Sequence, residues 1–220
     1  MRTYLTPIGY DTRRVTRPVV TTGLSTDDSV IMIRPESESD TERANQAIAD
    51  VEQLLHEIEP AATVDVERVS VEDFETTIRE CTRIIRATPA DSKTILSLGG
   101  GARDVLLPLT VASLALPNEV DHTLFFSDLD HDVRAVSLPN VMAQVPARAR
   151  ETLATIVTDG DWLSLTKLAE ETDSSKSTVI RHVQDLESAG VIESDTSEKA
   201  KRVTSTLSGE LRSSGWPGGR

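Results

Sequence analysis

The sequence predicts an α/β protein: a doubly wound, mostly parallel sheet with an antiparallel edge hairpin, followed by a smaller α+β domain. Three observations lead there. Short apolar runs alternate with helical patterns as far as residue 138, the last two runs lie too close together for a helix between them, and beyond Asn140 short helices crowd together ahead of a second hairpin.

Thr3 to Ile8, Ser29 to Ile33, Val64 to Val69, Thr94 to Leu98, Thr123 to Phe126 and Val133 to Leu138 read as strands. Between them, Asp11 to Thr22, Thr41 to Ile58, Val71 to Arg86 and Ala102 to Leu116 have helical spacing. In the second helix Val51, Leu54, Leu55 and Ile58 set an apolar stripe at i, i+3, i+4 and i+7. Parallel strands need crossovers of about a dozen residues, which these helices supply. Only Asp128-Leu129-Asp130-His131 separates the last two strands, so these form an antiparallel hairpin.

After Pro139 and Asn140, helices are expected over Arg148 to Val157, Leu163 to Glu171 and Ser175 to Ser188. Gly190, the apolar pair Val191-Ile192, a polar turn and Arg202 to Leu207 complete a winged helix-turn-helix. The expected limits are residues 1–140 for the ligand-binding domain, 141–147 for a linker, 148–212 for the winged helix and 213–220 for a flexible tail.

The chain has 220 residues, 23 basic against 36 acidic, a net charge of −13. Such acidity ordinarily argues against nucleic acid. Yet only Lys93, Lys167, Lys176, Lys199 and Lys201 are lysine, Asp equals Glu in number, and aromatics are 3%. That composition fits a salt-in halophile, where charge is screened within about 3 Å at 1 M salt and net charge stops diagnosing partners. An ordinary acidic mesophile is the alternative. The charge is unevenly spread: up to residue 145 there are 13 basic and 24 acidic residues, and beyond it 10 and 12. No apolar run approaches a membrane span, the polar start resembles no signal peptide, and a single cysteine, Cys81, excludes an internal disulfide. A cytoplasmic protein without membrane contact is expected.

Leu165, Leu168 and Ala169 supply the inner face of the first motif helix, and Val179, Val183 and Leu186 that of the second. Ser175 or Ser174 is a hydroxyl cap, and Gly190 supplies the positive φ that ends the helix. This leaves Lys176, Ser177, Thr178, Arg181 and His182 facing a major groove, with Lys199, Lys201 and Arg202 of the wing on phosphates. A winged helix kept only for dimerisation or protein binding is the alternative. Residues 148 to 212 resemble regulators of the MarR and ArsR kind, including Thr206-Leu207-Ser208-Gly209-Glu210 at the start of a closing helix. That resemblance implies a dimer on a quasi-palindromic double-stranded operator.

In the first domain, Leu98-Gly99-Gly100-Gly101-Ala102-Arg103 runs from a buried strand through three glycines into a helix. Such a turn lets backbone approach a ligand, and the helix amino terminus with Arg103 attracts phosphate. A dinucleotide fingerprint would need glycine at Asp104, and a P-loop would need Gly-Lys-Ser/Thr. Thr6-Pro7-Ile8-Gly9-Tyr10, followed by Arg13 and Arg14, is a second such loop, expected to converge with the first at the switch point. Either loop could also be a turn without a ligand.

These two segments, Arg17-Pro18 and the domain order resemble the CRISPR-associated Rossmann fold (CARF) regulators, specifically the archaeal type I CARF plus winged helix-turn-helix factors. The resemblance implies a homodimer that binds a cyclic oligoadenylate, typically cyclic tetra-adenylate, across its two-fold axis and acts on CRISPR-array or cas promoters. It places ligand contacts at Gly9, Tyr10, Arg13, Gly99, Gly100, Gly101 and Arg103. A metal-independent ring nuclease and a non-catalytic adaptor of CRISPR machinery are the alternatives. No cofactor or catalytic residue is expected, and Asp128, Asp130, His131 and Asp132 read as an acidic turn in preference to a metal site.

Overall fold

The computed structural model describes residues 1–37, 41–197 and 200–214. It divides into two compact units, Met1–Leu138 and Pro139–Arg220.

The first unit contains β1 (Arg2–Pro7), α1 (Arg13–Thr22), β2 (Ser29–Pro35), α2 (Thr41–Ile58), β3 (Thr63–Val69), α3 (Phe74–Arg86), β4 (Lys93–Ser97), α4 (Arg103–Ala115), β5 (His122–Phe126) and β6 (Val133–Val136). The sheet order is β3-β2-β1-β4-β5-β6, with β6 alone antiparallel, as expected. Because side chains alternate, adjacent residues of one strand enter different cores. Tyr4, Val30, Met32 and Ile95 pack with Val15, Val19, Val51 and Leu55 of α1 and α2. Leu5, Ile33, Leu96 and Leu98 pack with Cys81, Ile84, Ile85, Val105 and Leu109 of α3 and α4. Fully burying each of the large side chains contributes about 1.5–3 kcal/mol.

The stripe of α2 differs from expectation. Ala44, Ala47, Val51 and Leu55 are buried, while Leu54 and Ile58 are exposed. The buried line advances by three, four and four residues from Ala44 through Ala47 and Val51 to Leu55, and that line leaves Leu54 and Ile58 on its outer flank. Burial pushes the Cys81 thiol up to about 12, which keeps it an inert core residue.

The second unit contains α5 (Arg150–Asp159), β7 (Leu163–Ser164), α6 (Leu165–Glu171), α7 (Lys176–Ser188), β8 (Ile192–Asp195), β9 (Arg202–Ser205) and α8 (Leu207–Ser213). A three-stranded antiparallel sheet, β7-β9-β8, forms the wing and its anchor. Leu153, Ile156, Leu168, Val179, Val183, Leu186, Val191 and Val203 build its core. The Oγ of Ser164 and of Ser175 accepts an amide three residues on, and Gly190 adopts φ +69° after α7.

Residues 141–147 are not the linker the sequence suggested. Ala143 and Val145 are buried in the core of the second unit, whose contacts begin at Pro139. The segment forms no α-helix or strand, yet Val141-Met142-Ala143-Gln144-Val145-Pro146-Ala147 is mostly apolar, and its Ala143 and Val145 side chains are covered. The predicted tail begins inside α8, where Ser213 is buried, and its residues 215–220 lie outside the described residues. Among the described residues no helix is long and apolar enough to cross a membrane.

Candidate functional site

In the first unit the strand order reverses between β1 and β4, so their following loops leave on opposite faces and open a crevice at the carboxyl edge. The loops touch each other: a side chain at Gly9 would lie 3.4 Å from the Gly101 Cα. The three consecutive glycines are held by the chain itself. A Cβ at Gly99 would come within 3.0 Å of the Phe126 amide and closer still to its Cβ. At Gly100 it would lie 2.9 Å from the Arg14 Cβ and 3.1 Å from the Pro7 carbonyl, and at Gly101, where φ is +83°, 2.5 Å from the Pro7 Cβ. Close chain packing is thus a first reason for glycine at all three positions.

Of the two helices that start at this crevice, α4 has no side-chain cap, whereas in α1 the Asp11 Oδ1 accepts the Arg13 amide at 3.2 Å, and Asp73 caps α3 through the Thr76 amide at 2.9 Å. Among the described residues the amides of Arg103 and Asp104 meet no acceptor, and Arg103 is exposed without an ion pair. Uncapped amides beside a cation suit an anion. Tyr10 is exposed, with the Arg43 guanidinium 4.6 Å from its ring centre. Arg13 is exposed and grips Asp11 through two bonds, 3.0 and 3.1 Å long. Those bonds, led by the side-chain hydrogen bond from Arg13, hold the Asp11 carboxyl below its ordinary range.

Other polar side chains near the carboxyl ends of these strands were not assigned a ligand contact from the sequence. Arg14 donates to the Gly99 carbonyl at 2.9 Å, meets Asp128 at 2.6 Å and lies 5.9 Å from the Phe126 ring centre. Arg17 donates to the His131 carbonyl at 3.0 Å. Thr6 and Ser97, one residue beyond the last β1–β4 register pair, have buried hydroxyls without a hydrogen-bond partner. Arg34, 1% exposed near the end of β2, donates to the Asn45 side chain at 3.1 Å. Arg14 and Arg17 were legible as cations, but their partners lie in the glycine turn after β4 and in the β5–β6 turn, about a hundred residues away. In that turn Asp128 pairs with Arg14 and Asp130 with Arg134, and among the described residues no group of acidic, histidine or cysteine side chains is arranged to hold a metal.

In the second unit, α7 exposes Lys176, Ser177 and Arg181, with Thr178 half-buried. Ser175 Oγ links to the hydroxyls of Ser177 and Thr178 at 2.9 and 2.8 Å, which orders the amino-terminal turn. Among the described residues neither Lys176 nor Arg181 makes an ion pair. His182 corrects the expectation. It is 7% exposed, and its Nδ1 lies 2.8 Å from the Thr152 Oγ1 of α5, so it faces the core. Three positions after Val179 and four before Leu186, it falls on the flank of the inner stripe. Burial is the main reason its pKa is lowered.

The wing differs as well. Lys201 is held by Glu187 at 2.8 Å, and Arg202 by Asp195 at 3.0 Å with the Trp162 ring centre 6.0 Å away. Both expected phosphate contacts are therefore matched with carboxylates of their own domain, while Lys199 lies outside the described residues. Arg202 and Asp195 face each other across the β8–β9 register, a pairing no local sequence pattern marks.

Comparison with known proteins agrees with this architecture. Residues 2–128 match the Csa3 CRISPR-associated Rossmann-like domain, and residues 148–193 match a winged helix-turn-helix DNA-binding family. Among solved structures, Enterococcus italicus Csm6 bound to cyclic hexa-2'-fluoro-hexa-dAMP is 12% identical with a TM-score of 0.49, over 87% of this chain and 55% of that one. Protein VC1899 from Vibrio cholerae is 9% identical with a TM-score of 0.48, over 97% of this chain and 64% of that one. The present chain therefore spans less than two thirds of either. No curated protein matches it. With a doubly wound sheet whose match runs over more than half its length, this chain belongs to the Csa3 CRISPR-associated Rossmann-like domain family.

Proposed function

We propose that this protein is a homodimeric regulator of CRISPR-cas promoters whose crevice binds a cyclic oligoadenylate, with cyclic tetra-adenylate the first candidate. The observation that carries the reading is the meeting of two glycine loops beside the uncapped amino terminus of α4, in a chain that also carries a winged helix. A ring of phosphates suits that charge pattern. The amides of Arg103 and Asp104 and the Arg103 guanidinium would receive a phosphate, and Gly9 and Tyr10 would line the opposite loop. Lys176, Ser177, Thr178 and Arg181 would read the operator from the exposed side of α7. The ligand can change operator affinity only by as much as it prefers one dimer arrangement over the other. The acidic, lysine-poor composition supports an origin in a salt-in archaeon.

Incubation with labelled cyclic tetra-adenylate tests the ligand, and genomic occupancy with and without it tests the coupling. Ligand retained intact supports a sensor, a linear product a ring nuclease, and no binding an adaptor or another ligand. Arg103→Ala is expected to weaken binding by about 1.5–3 kcal/mol, the cost of losing a charged hydrogen bond. Equal affinity by calorimetry removes Arg103 from the site.

A further inference from the structure

Two arginines in the first turn of a helix oppose its dipole, and in α1 each is met by a carboxylate. Arg13 grips Asp11, while Arg14 takes Asp128 at 2.6 Å and also approaches Asp11 at 3.5 Å. The other neighbours of Arg14 are parts of the packed sheet edge, the Gly99 carbonyl and the Phe126 ring. Asp128 differs in kind. Its side chain is 65% exposed on the β5–β6 turn, where rotation into water costs little. That turn is tied to α1 through Arg14 and through the Arg17 bond to the His131 carbonyl.

We propose that Asp128 is an internal competitor for the anion site. Its carboxylate occupies the Arg14 guanidinium while the crevice is empty, and a phosphate of the ligand displaces it and loosens the β5–β6 turn from α1. The inference rests on the reading that nucleotide phosphates enter this crevice and adds how that site is regulated. Exchanging one anion for another on Arg14 leaves the guanidinium where Gly99 and Phe126 hold it. The competition therefore raises the ligand concentration needed for response without altering the geometry that receives the ligand.

Asp128→Asn removes the charge and keeps the shape. Asp91→Asn, an exposed position just before β4 at the other end of the strands, makes the same change in net charge and reports the general effect of a less acidic protein. At one fixed salt concentration, cyclic tetra-adenylate is expected to bind Asp128→Asn about two- to fivefold more tightly than Asp91→Asn, the range for an exposed ion pair. The amides of Ser127 and His131, hydrogen-bonded within the turn, are expected to exchange faster in wild type with ligand, approaching the rate of unliganded Asp128→Asn. Affinity no tighter than that of Asp91→Asn, or exchange unchanged by ligand, overturns the proposal. Should no cyclic oligoadenylate bind wild type, pyrophosphate becomes the probe. Faster exchange with pyrophosphate in wild type but not in Asp128→Asn supports the competitor while the nucleotide reading fails. No response to either probe overturns the competitor itself.

Discussion

Single alanines separate the two demands on the crevice glycines, ligand approach and chain packing. At Gly9 an added Cβ would make an ordinary contact, 3.4 Å from the Gly101 Cα. At Gly101 the same atom would sit 2.5 Å from the Pro7 Cβ and 3.2 Å from its Cα, on a residue with φ +83°. Overpacking costs about 1–3 kcal/mol, and the left-handed conformation adds about 1–2 kcal/mol for a residue with a side chain. Gly101→Ala is therefore expected to destabilise the first unit by about 2–5 kcal/mol and Gly9→Ala by less than about 1 kcal/mol. For a domain near this size, each kcal/mol shifts the midpoint by about 3–5 °C. Calorimetric melting of both variants, with cyclic tetra-adenylate titrated into each at a temperature where it is folded, makes the comparison. Gly9→Ala should keep its Tm within about 5 °C while losing affinity if backbone approach matters there. A Gly101→Ala protein that melts with wild type, or a Gly9→Ala protein as damaged as Gly101→Ala, would refute the packing argument.

The remaining predictions concern the winged helix and the solvent. Arg181→Ala is expected to cost about 1–3 kcal/mol on the specific operator and to relax preference at one base pair per half-site. Lys201→Ala is expected to change the salt slope by less than the full unit of a free phosphate contact, because Glu187 already holds the ammonium; a full unit in a salt titration contradicts that. Burial lowers the His182 pKa below its ordinary 6.5, so the folded domain binds fewer protons than the unfolded chain. Its stabilising share is complete above about pH 6.5 and declines as the pH falls from there toward the folded value. Denaturant melts between pH 8 and 5 should show this decline, with less of it in His182→Gln. Finally, circular dichroism melts in rising KCl should show stability increasing toward molar salt as the charge of −13 is screened; a flat profile upward from about 0.1 M, where the Debye length is about 10 Å, opposes the halophile reading.

The alternation of strands and helices, the edge hairpin and the helix-turn-helix were all legible in the chain, because each follows from periodicity over a few residues. Ser175 as a cap and Gly190 at positive φ were readable for the same reason: a hydroxyl three residues before an amide and a residue without Cβ act within one turn. Other outcomes depended on residues far apart in the chain. Val179, Val183 and Leu186 mark the buried side of α7, yet the 3.6-residue period leaves the flank open, and it was Thr152 on another helix that drew His182 inward. Lys201 and Arg202 are basic in any context; whether they are available to a phosphate was settled by Glu187 and Asp195, brought beside them when α7 packs on β8 and β8 pairs with β9. The glycine run announced a close approach without saying to what, since the neighbours are Pro7, Arg14 and Phe126 from three other elements. Ion pairs and close contacts are made across space, and a local pattern carries the charge or the missing side chain but not the group that will stand opposite it.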